Sequence, residues 1–336
     1  MRALLLTAGS RGDVEPFLAL ARRGVAAGHD VHLAVTREAV AGATATGAQV
    51  HGLDADYAAL VAAQGTSPWR AMRSYRTVVA PMLAALERSA ARAVLDVGPD
   101  VVVAHPKVTC APLAAARVGV PFVLAEIVPT LTPTRAFPAA GLPVRDLGPL
   151  NPLTFRVLRA GAAAVRRSQR GSLTELGLPA GAPPPARTVV PASPTLLPRP
   201  DDWPATATVT GRWHAPAAGP TADPDPDLTA FLAGGDVVYA GFGSMARGDA
   251  RGRARDVVGA VRRRGLRALV VTGWGGLEVP ADAAGADVLV RDAVDHDRVL
   301  PRCRAAIHHA GAGTAHAVVA AGLPSVPVPV LGDQPF

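Results

Sequence analysis

Ala3-Leu4-Leu5-Leu6, followed by Gly9-Ser10-Arg11-Gly12-Asp13, reads as a strand running into a tight loop. The first run is short and continuously apolar, as a strand buried on both faces requires. After the loop, Val14, Phe17, Leu18, Ala21 and Val25 recur at helical spacing. Asp13 is placed to cap that helix, and Pro16 is tolerated in its first turn. Gly28 stops it, and Val31-His32-Leu33-Ala34-Val35 follows as a second strand. The unit is βαβ.

The same alternation continues outward. Val101-Val102-Val103-Ala104 is a strand, a helix starts near Ala111, and Phe122-Val123-Leu124 is another strand. Prolines then crowd between Gly177 and Asp227, which reads as a connecting segment with short strands at most near Val189-Val190 and Thr208-Val209. A second series begins at Val237-Val238-Tyr239-Ala240 and runs through Leu269-Val270-Val271, Val288-Leu289-Val290 and Ala305-Ala306-Ile307-His308. Strands alternating with helices predict parallel sheets covered on both faces, with ligands at the carboxyl ends of the strands. Two such halves on a proline-rich hinge are expected to leave a cleft.

Composition narrows the class. A chain of 336 residues, 49% hydrophobic and 18% charged, is too apolar for disorder and long enough for two cores. The longest apolar run, Ala317 to Leu331, is broken by Pro324, Pro327 and Pro329, and no signal-peptide core precedes Arg11. A soluble, cytoplasmic protein is expected, without integral membrane association. Cys110 and Cys303 suggest no disulfide framework. The net charge is +7, but only Lys107 among the 34 basic residues is a lysine, and the arginines are scattered. A solvated surface explains them better than nucleic acid does.

Four stretches can carry chemistry. His308-His309-Ala310-Gly311-Ala312-Gly313-Thr314 lies at a strand end and opens a helix, where amide groups, partial positive charge and a hydroxyl suit a pyrophosphate. Side chains alternate along a strand, so one histidine is expected in the core and one at the ligand; a glycine-rich helix start with two packed histidines is the plainer alternative. Gly241-Phe242-Gly243-Ser244 is a second phosphate-type loop or an ordinary βα turn. Asp333 and Gln334 pair an acceptor with a donor, which suits sugar hydroxyls as well as a polar turn. Ser10 and Asp13 open the first half, with Asp13 either a helix cap or a base. His29, His32, His51 and His214 have no partner at metal-ligand spacing, so no metal site is expected.

Together the opening loop, Thr210-Gly211-Arg212-Trp213, Gly241 to Met245, Val294-Asp295-His296, the 308–314 stretch and Gly332-Asp333-Gln334-Pro335-Phe336 carry a resemblance. The sequence resembles the family 1 glycosyltransferases of the GT-B fold, in the bacterial natural-product and sterol-type branch that includes enzymes acting on glycopeptide antibiotics. The resemblance implies inverting, metal-independent transfer of a hexose from a UDP- or dTDP-sugar to the hydroxyl of a small lipophilic or natural-product acceptor, with no cofactor. It implies that His309, Gly311, Gly313 and Thr314 hold the diphosphate, with Gly243 and Ser244 on the facing loop. The main chain near Ala293 and Val294 would meet the base, and Asp333 and Gln334 the sugar. Asp13 would be the general base with Ser10 beside it. Relatives continue past the aspartate-glutamine motif, so the second domain is expected to be incomplete.

The expected organisation is an acceptor-binding Rossmann-like domain at 1–205, a hinge at 206–235 and a nucleotide-sugar-binding Rossmann-like domain at 236–336, in a monomer or homodimer. The acceptor pocket is expected on Gln64–Pro81 and Glu126–Pro149. An NAD(P)-dependent oxidoreductase is the rival, but it needs GxGxxG in the first turn and an acid closing the second strand, where Thr36-Arg37 stands. An inactive nucleotide-sugar-binding helper protein is the other.

Overall fold

Every strand pair described is parallel. The computed structural model describes residues 1–55, 75–142, 144–215, 225–243, 248–273, 275–330 and 332–336. The chain divides into two units, one of Met1–Ala139 and Val144–Ala215, the other of Ala140–Pro143 and Pro216–Phe336.

The first unit runs β1 (Arg2–Leu6), α1 (Arg11–Ala26), β2 (Asp30–Thr36), α2 (Val40–Thr44), β3 (Gln49–Leu53), α3 (Ala80–Val97), β4 (Val101–Ala104), α4 (Ala111–Val118), β5 (Phe122–Ala125), α5 (Pro152–Ser168), α6 (Arg170–Glu175), β6 (Arg187–Val190) and β7 (Ala207–Val209). Its sheet has the order β3-β2-β1-β4-β5-β6-β7. Leu4 and Leu6 face α3 and α4 in a core with Ala90, Val94, Val102 and Leu113. Phe17 of α1 is buried and meets Trp213 edge-on, with ring centroids 5.9 Å apart. Glu87 is fully buried where α4 begins, accepting from the Thr109 and Cys110 N–H groups that a helix start leaves unpaired.

The second unit runs α7 (Pro226–Ala233), β8 (Val237–Gly241), α8 (Ala250–Arg262), β9 (Arg267–Val271), β10 (Val288–Arg291), α9 (His296–Val299), β11 (Ala305–His308), α10 (Ala312–Ala320) and β12 (Ser325–Pro327). Its sheet order is β10-β9-β8-β11-β12. One face packs Tyr239, Leu269 and Ala306 with Leu228, Phe231 and Leu300, and the other packs Val238, Ala240 and Val270 on α8 through Ala254, Val258 and Val261.

The two sheets repeat one plan. In each, the first strand lies between the second and the fourth, the doubly wound order with its switch point between strands one and four. The loops after β1 and β4 are therefore neighbours at one carboxyl edge, and so are the loops after β8 and β11.

Two expectations change in detail. The segment expected as a hinge, 206–235, carries β7 of the first sheet at its start and α7 of the second core near its end. Asp13 is not the cap of α1. Ser10 holds the N-cap position and Asp13 the third helical position, from which its carboxylate reaches back to the Ser10 N–H.

Candidate active site

At the switch point of the first unit, Asp13 gathers four contacts. Its Oδ2 accepts from Ser10 N at 2.7 Å, Ser10 Oγ at 3.0 Å and Lys107 Nζ at 2.7 Å. Its Oδ1 lies 3.3 Å from His105 Nε2. His105 Nδ1 accepts the Lys107 N–H at 3.2 Å, which assigns the ring proton to Nε2 and makes His105 a donor to Asp13. Burial alone would push the Asp13 carboxyl up, but the Lys107 ammonium and the His105 ring outweigh it and hold the acid well below the usual aspartate range. Asp13 is thus ionised at neutral pH, with its side chain 16% exposed. Gly9 makes room for the cluster: its φ is +139°, and a Cβ there would stand 2.8 Å from Lys107 Nζ.

At the switch point of the second unit, the His309 ring lies between two glycines. A Cβ on Gly243 would fall 2.8 Å from the ring, and one on Gly311 would overlap Nε2. His309 Nδ1 faces the Gly241 carbonyl at 3.3 Å. Burial pulls the His309 ring's pKa down, against the raising pull of the Gly241 carbonyl and the Asp333 charge. His308 ends β11 and is buried, and its Nδ1 accepts the Ala310 N–H at 3.1 Å. Ala310 takes a φ of +65°, uncommon for a residue with a side chain, which closes the turn into α10. The Ala315 N–H begins the helical ladder on Gly311 O at 2.9 Å, so the amides of Ala312, Gly313 and Thr314 precede it.

The remaining expected residues fall as follows. Ser244 lies outside the described residues, as does 64–74 of the expected acceptor segment. Ala293 is exposed and Val294 packs on the core, both between β10 and α9 at the edge where the loops after β8 and β9 open. Asp333 is near enough to His309 for its charge to favour the protonated ring. Gln334 is buried, and its Oε1 accepts the Val330 N–H at 2.7 Å, which holds the approach to Asp333.

Four residues of these clusters are not among those proposed for a site from the sequence. His105 and Lys107 follow β4, and the order 3-2-1-4 alone places that loop beside the one after β1. Gly273 and Gly276 follow β9; a Cβ on either would come within 3.0 Å of the Gly243 carbonyl, so their bareness lets the Gly243 loop lie flat. The run Gly273-Trp274-Gly275-Gly276 at a strand end was the available signal. The structure also pairs His32 with His51, Nδ1 to Nε2 at 2.9 Å, although no group of three or more His, Cys, Asp or Glu among the described residues is placed to hold a metal. Among those residues no helix is long and apolar enough to cross a membrane.

Residues 3–134 match the glycosyltransferase family 28 N-terminal domain. The vancomycin aglycone glucosyltransferase of Amycolatopsis orientalis is 31% identical over all of this chain and 82% of that protein. The sterol 3-beta-glucosyltransferase UGT80A2 of Arabidopsis thaliana is 28% identical over all of this chain and 55% of that protein. The chain thus spans about half or less of the length of the plant and fungal sterol glucosyltransferases it matches. The glycosyltransferase VinC, solved in complex with dTDP, superposes with a TM-score of 0.61 at 22% identity, over 98% of this chain and 81% of that one. Two doubly wound parallel sheets, each with a loop pair at its switch point, define a GT-B protein. The chain belongs to family 1 of the GT-B glycosyltransferases.

Proposed function

We propose that this protein transfers a hexose from a UDP- or dTDP-sugar to the hydroxyl of a small lipophilic or natural-product acceptor, with inversion and without a metal. The observation that carries the reading is the His309 ring wedged between Gly243 and Gly311 beside the first-turn amides of α10, which precede its first helical hydrogen bond. That surface offers N–H donors, partial positive charge and a titratable ring to a diphosphate and offers little to an uncharged ligand. The dTDP complex of VinC and the names of the sterol and vancomycin aglycone relatives support the donor and acceptor classes.

In this reading the second unit handles the donor and the first the acceptor. Asp13 takes the acceptor proton as the oxygen bonds to the anomeric carbon; the bond to the diphosphate breaks, and its electron pair leaves with the phosphate. Helix amides at α10 and His309 stabilise that departing charge, the part a divalent cation plays in other transferases. Asp333 and Gln334 are assigned to the sugar, Ala293 and Val294 to the base, and Ser244 to the diphosphate.

A thermal-shift series with UDP, dTDP and NADPH tests the donor. At about a hundred times its dissociation constant, the correct diphosphate stabilises by roughly 2.7 kcal/mol. A response to NADPH alone would return the protein to the oxidoreductases. Transfer from the matching sugar nucleotide should persist in EDTA; loss there with rescue by magnesium overturns the metal-free mechanism.

A further inference from the structure

The chain's only lysine, among 34 basic residues, stands against the candidate base. The two oxygens of Asp13 have unequal surroundings. Oδ2 takes three donors, two from Ser10 and one from Lys107, and a carboxylate oxygen has only about two lone-pair sites, so Oδ2 is filled. Among the described residues Oδ1 meets only His105 Nε2, at 3.3 Å, which leaves it a lone pair. The backbone helps set the arrangement, since a Cβ at position 9 would overlap the Asp13 carboxylate and crowd the ammonium.

Lysine and arginine differ at this point. An ammonium is a compact charge that can hold one oxygen, whereas a guanidinium is a planar fork that engages both oxygens of a carboxylate. An arginine at 107 would cover Oδ1 as well. Resting on the transferase reading above, we propose that Lys107 is a positioning residue that holds Asp13 by Oδ2 and leaves Oδ1 to receive the acceptor proton. The proton passes from the acceptor hydroxyl to Oδ1 while the new carbon–oxygen bond forms and the diphosphate departs with its electron pair. Lys107 neither gives nor takes a proton. Its charge keeps Asp13 ionised until the transfer occurs, and its shape decides which oxygen acts.

The test uses the full chain with UDP-glucose or dTDP-glucose and two acceptors, a sterol and a phenolic aglycone. Lys107→Met should move the acid limb of the kcat profile to higher pH by about one unit or more, with donor KM unchanged. Lys107→Arg should leave the limb low yet reduce kcat by about tenfold or more, because the base is charged but covered. A merely structural lysine would lower stability in both variants and move neither the limb nor the balance between kcat and KM. Carbon-13 titration of the Asp13 carboxyl in wild type and Lys107→Met reads the same contact without turnover. An active Lys107→Met protein with an unmoved limb and an unmoved Asp13 titration overturns the proposal, as does Lys107→Arg with wild-type kcat. Absence of transfer and of donor hydrolysis in the wild type overturns instead the transferase reading, and with it the role given to Oδ1.

Discussion

His309 shows how much of a site depends on one proton. Its Nδ1 faces a carbonyl, which can only accept, so the neutral ring carries its proton on Nδ1 and presents a bare lone pair at Nε2. Two lone pairs repel, and a phosphate oxygen at Nε2 requires a second proton there. Burial keeps the free ring neutral near pH 7, while Asp333 already leans toward the charged form. A bound diphosphate adds negative charge, so nucleotide binding should take up about one proton at neutral pH. Calorimetry in buffers of differing ionisation heat measures that uptake. Affinity should weaken as pH rises through the neutral range, by up to about tenfold per unit, and His309→Gln should abolish both the uptake and the pH dependence. Binding without proton uptake would place the neutral proton on Nε2 and make the Gly241 approach a packing contact. Residue type and position single out the 308–314 stretch and offer Asp13 as cap or base; the choice of His309 over His308, and of Asp13 as base, comes from the family resemblance. His105 and Lys107 escaped because a histidine and a lysine after a strand have no motif; only strand order makes them neighbours of Asp13.

At the scale of elements, the clear cases were those with strong apolar runs. β1, β2, β4, β5, β8, β9, β10 and β11 are all visible as such runs, bounded by glycine or a charged residue. β3 is Gln49-Val50-His51-Gly52-Leu53, an edge strand half open to solvent, and edge strands lack the continuous apolar signal of central ones. β12 is three residues ending in proline, at the other sheet's edge. The loop after β5 shows what a strand end can hold that patterning does not reveal. Glu126 is fully buried and accepts from the backbone N–H groups of Thr130, Leu131 and Thr132 and from the Thr132 hydroxyl. Burial still wins, and the carboxyl is pushed up from the ordinary 4.5 to about 7. The unfolded chain gives up this proton first, so the folded state binds more protons between those two values. Stability therefore falls as pH rises through that window, by on the order of 3 kcal/mol for this one group. Urea unfolding at pH 5 and pH 8 should show Glu126→Gln losing less stability than wild type between the two. An unchanged difference would mean that the three amides keep the carboxylate charged at neutral pH.

At the scale of the molecule, both sheets read 3-2-1-4-5 from their first five strands, and both place a candidate cluster after strands one and four; the second unit adds Ala293 and Val294 after its third strand and Asp333 and Gln334 after its fifth. Such doubling assigns different chemistry to equivalent positions: a carboxylate with a lysine in the first unit, a histidine among glycines in the second. The proposed function puts the donor and the base on different units, so a ligand that is only a diphosphate should report on one of them. Hydrogen exchange with and without saturating dTDP or UDP distinguishes the units directly. Slowed exchange is expected at residues 241–243 and 309–315, where the amides would donate to the phosphates or be shielded by them. Residues 9–13 and 105–109 should exchange at their free rate, because Asp13 repels a phosphate and its neighbours already bond to one another. Adding Asp13→Asn should leave the protection in the second unit intact while reducing transfer by roughly 10²–10⁴-fold, the usual worth of a positioned base. Protection confined to 9–13, with none at 309–315, would reverse the assignment: the diphosphate would then belong to the opening loop of the first sheet, and His309 would be a packed histidine in a glycine-rich turn.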